Sequence, residues 1–165
     1  MEQKTVKRIP YGVSDFVNVM ERNQYYVDKT MYIPLLEEEA DNLFFIRPRR
    51  FGKSIFLSML HAYYDCRTKD KFQQWFGNLW IGKHPTSKQG RYQVLHLDFS
   101  QVGGTIDKLE ENFNFYLGMR LDGFINAYQE YYSEETQKKV KGTDYAGGKL
   151  GLIQEEAQMK GYPLY

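Results

Sequence analysis

The stretch Leu43-Phe44-Phe45-Ile46-Arg47-Pro48-Arg49-Arg50-Phe51-Gly52-Lys53-Ser54-Ile55-Phe56-Leu57 decides how this chain is read. Its four leading apolar residues, Leu43 to Ile46, have the length of a short buried strand. A basic loop ending in Gly52-Lys53-Ser54 follows. From Ile55 the apolar spacing becomes helical, and no proline or glycine interrupts Ser54 to Asp65. A strand, a loop and a helix in that order make a phosphate cradle of the P-loop type. The loop N–H groups surround the phosphates, the lysine reaches the β/γ oxygens, and the serine hydroxyl ligates Mg²⁺. The positive end of the helix dipole lies behind them. The full pattern is G-x-x-x-x-G-K-[ST], and Arg47 stands at the leading glycine's position.

Working outward, 165 residues suffice for one domain with a core, or for one cut short. A 42% hydrophobic and 16% aromatic content excludes a disordered chain. The net charge of +1 supplies no global field for nucleic acid or membrane. Locally, Arg47, Arg49, Arg50 and Lys53 share one loop with no acid between them, an attractor sized for a small anion. Cys66 is the one cysteine, so no internal disulfide forms, and it reads as a partly buried structural thiol in a reducing compartment. Met1-Glu2-Gln3-Lys4 precedes no apolar run, and no run is long enough to cross a bilayer; the expectation is a cytoplasmic protein without a signal peptide.

Along the chain, Pro10-Tyr11-Gly12 predicts a turn, and Ser14 an N-cap for a helix carrying Phe16, Val19 and Met20. Asp28 or Thr30 caps a second helix, ending near Ala40-Asp41. Phe72, Trp75, Phe76, Leu79 and Trp80 form one apolar helical face. Gly82 to Gly90 reads as a loop, and Val94–Phe99 as a buried parallel strand. Thr105 opens a long helix through Tyr128, weakened at Gly118 and Gly123, where a kink or break is expected. Ser133 to Gly148 reads as a mobile polar stretch, and a last helix spans Lys149 to Lys160. Tyr162-Pro163-Leu164-Tyr165 looks like a strand beginning. The expected fold class is α/β: a P-loop NTPase-like three-layer sandwich with a mostly parallel sheet, truncated at its end.

Four segments carry a family likeness: Ile9-Pro10-Tyr11-Gly12, Tyr25-Tyr26-Val27-Asp28-Lys29-Thr30, Arg47 to Ser54, and Val94-Leu95-His96-Leu97-Asp98-Phe99-Ser100. Together they resemble the AAA-ATPase-like family of predicted bacterial ATPases, over nearly the whole chain. Within that resemblance Arg47 at the glycine position is normal. It implies a P-loop NTPase fold, ATP and Mg²⁺ as ligands, and often a restriction-endonuclease-like effector domain further along. On this basis residues 1–165 are the N-terminal part of such a domain. Residues 1–42 form a lead-in with helices, 43–65 the strand, phosphate loop and helix, and 66–165 the remaining, incomplete core. The implied ATP contacts are Arg49, Arg50, Phe51, Gly52, Lys53, Ser54 and Ile55, with Ser54 also on the metal. No catalytic residue is assigned. The Walker B acid pair of such proteins follows a stretch resembling Gly161 to Tyr165, where this chain ends.

Other candidates read as structural. Asp98, at the end of a predicted strand, has the chemistry of a Walker B aspartate but is better read as a strand end or turn cap. His61, His84 and His96 are too scattered for a metal site. Glu37-Glu38-Glu39 and Glu155-Glu156 read as solvated faces. The fourteen tyrosines lack interleaved basic residues, so packing accounts for them better than base stacking. Tyr25 or Tyr26, ahead of the first strand, is a weak candidate to stack on adenine. The rival functional reading is a non-enzymatic interaction module that keeps a P-loop as scaffold. A third reading, nucleic-acid binding through residues 47–53, ranks last on its small footprint.

Overall fold

In the computed structural model, which describes residues 6–39 and 42–165, the backbone forms two compact units that divide between Gly90 and Arg91. The first is built around α3 (Lys53–Tyr64). Its residues Phe56, Met59, Leu60 and Tyr63 recur at helical spacing and are buried. Against them pack α1 (Phe16–Glu21) and, through it, α4 (Phe72–Phe76). Phe16 stacks on Phe76 with centroids 4.9 Å apart, and both are fully buried. Each such side chain contributes about 1.5–3 kcal/mol by leaving water. Asp15, not Ser14, caps α1 by accepting from the Asn18 amide at 2.7 Å. Ser58 ties α1 to α3, accepting from the Phe16 amide at 3.0 Å.

The remaining helices of this unit are short. A 3₁₀ turn, Thr30–Tyr32, leads into α2 (Ile33–Glu38), and α5 spans Trp80–Lys83. The expected end of the second helix at Ala40-Asp41 lies outside the described residues. The single apolar face expected over Phe72 to Trp80 is broken into α4 and α5, and Trp80 is partly exposed. Cys66 is buried, as a structural thiol should be. Glu37 is no solvated residue: its Oε1 accepts from the Tyr64 hydroxyl at 3.0 Å and from Thr86 Oγ1 at 2.8 Å.

The second unit packs α6 (Leu109–Ala127), α7 (Glu134–Lys141) and α8 (Ala146–Met159) on one another. Here the sequence expectations fail in instructive ways. Gly118 and Gly123 do not break α6, because tertiary packing outweighs a propensity cost of about 1 kcal/mol each. The stretch read as mobile contains α7, capped by Ser133 accepting from the Thr136 amide at 3.2 Å. Glu156 reaches across to that cap, accepting from the Ser133 amide at 2.8 Å and from Lys160 at 2.9 Å. Burial pushes its carboxyl up, but these bonds and one from Thr136 prevail and hold it at about 2.

The larger correction concerns fold class. The three-layer sandwich with a parallel sheet is not present: among the described residues no strand ladder forms, and the parallel pairing Gln93↔Leu164 is an isolated bridge. Leu43–Ile46 forms no ladder, and Phe44 and Ile46 are largely exposed. A strand exists only through a partner that satisfies its backbone, and among the described residues 43–46 has none. The segment at 93–98 is more informative. Its odd residues face the last residues of the chain: Gln93 N donates to Pro163 O (2.9 Å), Tyr165 N to Gln93 O (2.9 Å) and Leu95 N to Tyr165 O (3.1 Å). Its even residues face α6 instead. Val94 N donates to the Tyr128 hydroxyl (2.9 Å), Arg120 to His96 O (3.1 Å) and Asp98 N to the Tyr116 hydroxyl (3.0 Å). Helix side chains therefore occupy the edge where a second strand would lie.

At the end of α3, buried Asp65 accepts from Arg67 Nη2 at 2.7 Å and the Arg67 amide at 2.9 Å, with His61 Nε2 at 3.2 Å. Burial alone would raise this carboxyl; the His61 and Arg67 bonds overcome it and hold it at about 2. A folded value below the unfolded one of about 3.9 means stability present above pH 4 and lost as pH falls toward 2. Urea titrations should show that loss, and Asp65→Ala should cost about 2 kcal/mol at pH 7 and flatten the acid limb.

Candidate functional site

Because α3 is anchored along its buried face, the position of its first residue, Lys53, is set by the core. The loop before it turns sharply. Arg50 (φ 67°) and Gly52 (φ 77°, ψ 23°) both occupy the left-handed region, two such residues within three positions. This curls residues 47–52 back over the helix start. Lys53 Nζ consequently donates to two carbonyls of its own loop, Arg47 O at 2.5 Å and Pro48 O at 3.0 Å. The N-cap, Gly52, has no side chain to cap the helix, so among the described residues its first-turn amides are left for another acceptor.

The flanking side chains point to the same use. The Arg47 guanidinium lies over the Phe45 ring, 5.6 Å from its centroid, and Phe45 stacks on buried Phe56 at 5.1 Å. Arg47 thus contributes a carbonyl to the loop and withdraws its side chain onto an aromatic. Arg49, Arg50, Phe51 and Ser54 are exposed; Gly52, Lys53 and Ile55 are half-buried. Among the described residues no carboxylate pairs with Arg47, Arg49, Arg50 or Lys53. An anion would meet uncompensated positive charge there. The Ser54 hydroxyl, a hard oxygen donor at the first turn, fits a Mg²⁺ ligand. Every residue expected at the site therefore lies on this one loop and helix start.

A further cation reaches the loop that spacing arguments passed over. A methyl group placed on Gly52 would come within 3.9 Å of Lys29 Nζ. Lys29 lies far back in the chain, within Tyr25-Tyr26-Val27-Asp28-Lys29-Thr30, and only the fold brings it here. Of the adenine-stacking candidates, Tyr26 packs edge-on against Phe16 at 5.1 Å, and burial followed by the Asp28 charge raises its phenol. Tyr25 is exposed.

The remaining candidates hold structural posts. Asp98 accepts from the Ser100 amide at 3.0 Å and caps a 3₁₀ turn, Phe99–Gln101. The Ser100 hydroxyl and amide lower its carboxyl. His61 bonds Asp65, and His84 stacks on Trp80 at 4.4 Å. Among the described residues no group of His, Cys, Asp or Glu is arranged to hold a metal. In the second unit, a cleft lined by Asp107, Glu110, Glu111, Phe113 and Tyr145 carries the wrong sign of charge for phosphate. No helix among the described residues is long and apolar enough to cross a membrane.

The sequence pattern of a family described as predicted AAA-ATPase matches residues 10–163. A protein of Azotobacter chroococcum mcd 1, described as "Uncharacterized protein in vnfD 5'region", is 46% identical over 55 residues. That alignment covers 33% of this chain and 11% of the relative, so the chain spans a small part of that protein's length. No solved structure matches. If the left-handed turn is what shapes the loop, Gly52→Ala should cost about 1 kcal/mol in urea unfolding. The cost would lie in the backbone, because the added Cβ meets Ile55 Cγ2 at an ordinary 3.5 Å. The match to residues 10–163 makes the chain a member of the predicted AAA-ATPase family.

Proposed function

We propose, on the premise of that membership, that this chain binds Mg·ATP through the loop of residues 49–55 and that the bound state switches an effector elsewhere in the same polypeptide. The observation that carries the reading is the Lys53 ammonium, turned into its own loop and held by the Arg47 and Pro48 carbonyls. An ammonium on two neutral carbonyls exchanges them for phosphate oxygens at a gain, because the anion's full negative charge adds a Coulomb attraction that a neutral carbonyl lacks. The amides of residues 49 to 54 line the phosphates, and the dipole of α3 adds favourable potential at its start. Ser54 supplies the hydroxyl for Mg²⁺. The bound metal would neutralise phosphate charge.

Arg49 and Arg50 have a different role. Both are exposed, so they raise the local concentration of anions and screen with salt. Lys53, half-buried and fixed at two points, supplies affinity. The residues named here account for binding; none of them is a base for hydrolysis.

Calorimetric titration with Mg·ATP tests this. Lys53→Ala should weaken binding by about 10- to 100-fold, the range of a charged hydrogen bond. Ser54→Ala should leave metal-free ATP binding unchanged and remove the gain that Mg²⁺ brings. Equal heats for the unaltered chain and Lys53→Ala would end the reading.

A further inference from the structure

We infer that Lys29 is a second phosphate-binding cation of this loop, presented by a rigid clamp at residues 28–30; the inference rests on the nucleotide reading above. Lys29 Nζ stands 3.9 Å from the point where a side chain on Gly52 would begin. A Cβ there would stand in ordinary contact with this ammonium, so Lys29 Nζ lies against the turn itself. Two ammonium groups, from residues remote in sequence, therefore border one left-handed turn.

Lys29 Nζ lies at Gly52 and Lys53 Nζ at the Arg47 and Pro48 carbonyls, so one loop carries two ammonium groups and an anion seated on it is drawn to both. Among the described residues no carboxylate bonds either Lys29 or Lys53. The nearest candidate in sequence, Asp28, is committed elsewhere. Its Oδ1 accepts from the Thr30 amide (2.8 Å) and the Thr30 hydroxyl (2.7 Å), and its Oδ2 from the Trp80 amide (2.7 Å). Thr30, fully buried, accepts in turn from the Ile81 amide at 3.1 Å. Residues 28 and 30 are thus pinned to the start of α5, and the backbone of residue 29 between them has little freedom. The clamp turns the carboxylate toward α5 and leaves the neighbouring lysine for the loop. Such preorganisation lowers the entropy lost when a long side chain engages a ligand.

The test titrates the full chain with Mg·ATP and with adenosine, using Lys29→Ala, Lys29→Arg and Lys53→Ala, with thermal melts as a folding check. Lys29→Ala should bind Mg·ATP about tenfold more weakly, and Lys29→Arg should stay within about threefold of the unaltered chain. Any adenosine binding should be the same in all four proteins. If Lys29→Ala does not fold, Lys29→Gln, which keeps the polar stem and loses the charge, carries the same expectation. Lys29→Ala binding as the unaltered chain does, while Lys53→Ala binds more weakly, overturns the role of Lys29 and leaves the nucleotide reading standing. Failure of the unaltered chain to bind Mg·ATP overturns both.

Discussion

Burial of one face of α3 is the constraint from which the rest of the first unit follows. Phe56, Met59, Leu60 and Tyr63 must leave water together, and α1 and α4 supply the surface that lets them. That burial sets the helix axis, and the axis sets the place of residue 53 at its start. The loop before it then has little choice. It must arrive at Lys53 from a segment whose Phe45 is held on Phe56, and two left-handed residues make the turn. The Lys53 ammonium lies inside the curl because its backbone is already committed to the first turn of a packed helix.

A second constraint, the demand of every backbone amide and carbonyl for a partner, explains why helices prevail where a sheet was expected. A helix satisfies its own interior. An extended segment depends on a neighbour, and residues 93–98 show what happens when the neighbours are mixed. One edge pairs with residues 163–165, and the other is met by Tyr116 and Arg120 of α6 and by Tyr128 at its C-cap. Several tyrosines that looked redundant by composition serve here as backbone partners. Tyr64, with its bond to Glu37, likewise satisfies a buried polar group.

The local shape of the loop and helix start was more legible than the fold around it. A glycine ahead of Lys-Ser at a helix start is a local matter, decided by the left-handed turn and the exposed first-turn amides. The expected contacts, residues 49 to 55, are therefore contiguous in the chain. Arg47 in the glycine position also makes local sense, since only its carbonyl faces the lysine. Lys29 was not legible, because no spacing rule links it to Gly52; the clamp of Asp28 and Thr30 on α5 does so through space. Glu37 and Glu156 were misread for the same reason. A run of acids looks solvated until a distant threonine or a helix cap comes to meet it.

By itself the sequence determined the local events: the apolar periodicity of α3, the turn at Gly52, the burial of Cys66, and the concentration of cations on one loop. These depend on φ/ψ preference, side-chain volume and charge within a few residues. Tertiary structure alone decided whether Leu43–Ile46 and Val94–Phe99 became strands, whether the glycines of α6 bent it, and which lysine stands beside Gly52. Such outcomes depend on which partner reaches a backbone group or a charge first, and that partner is far away in the chain.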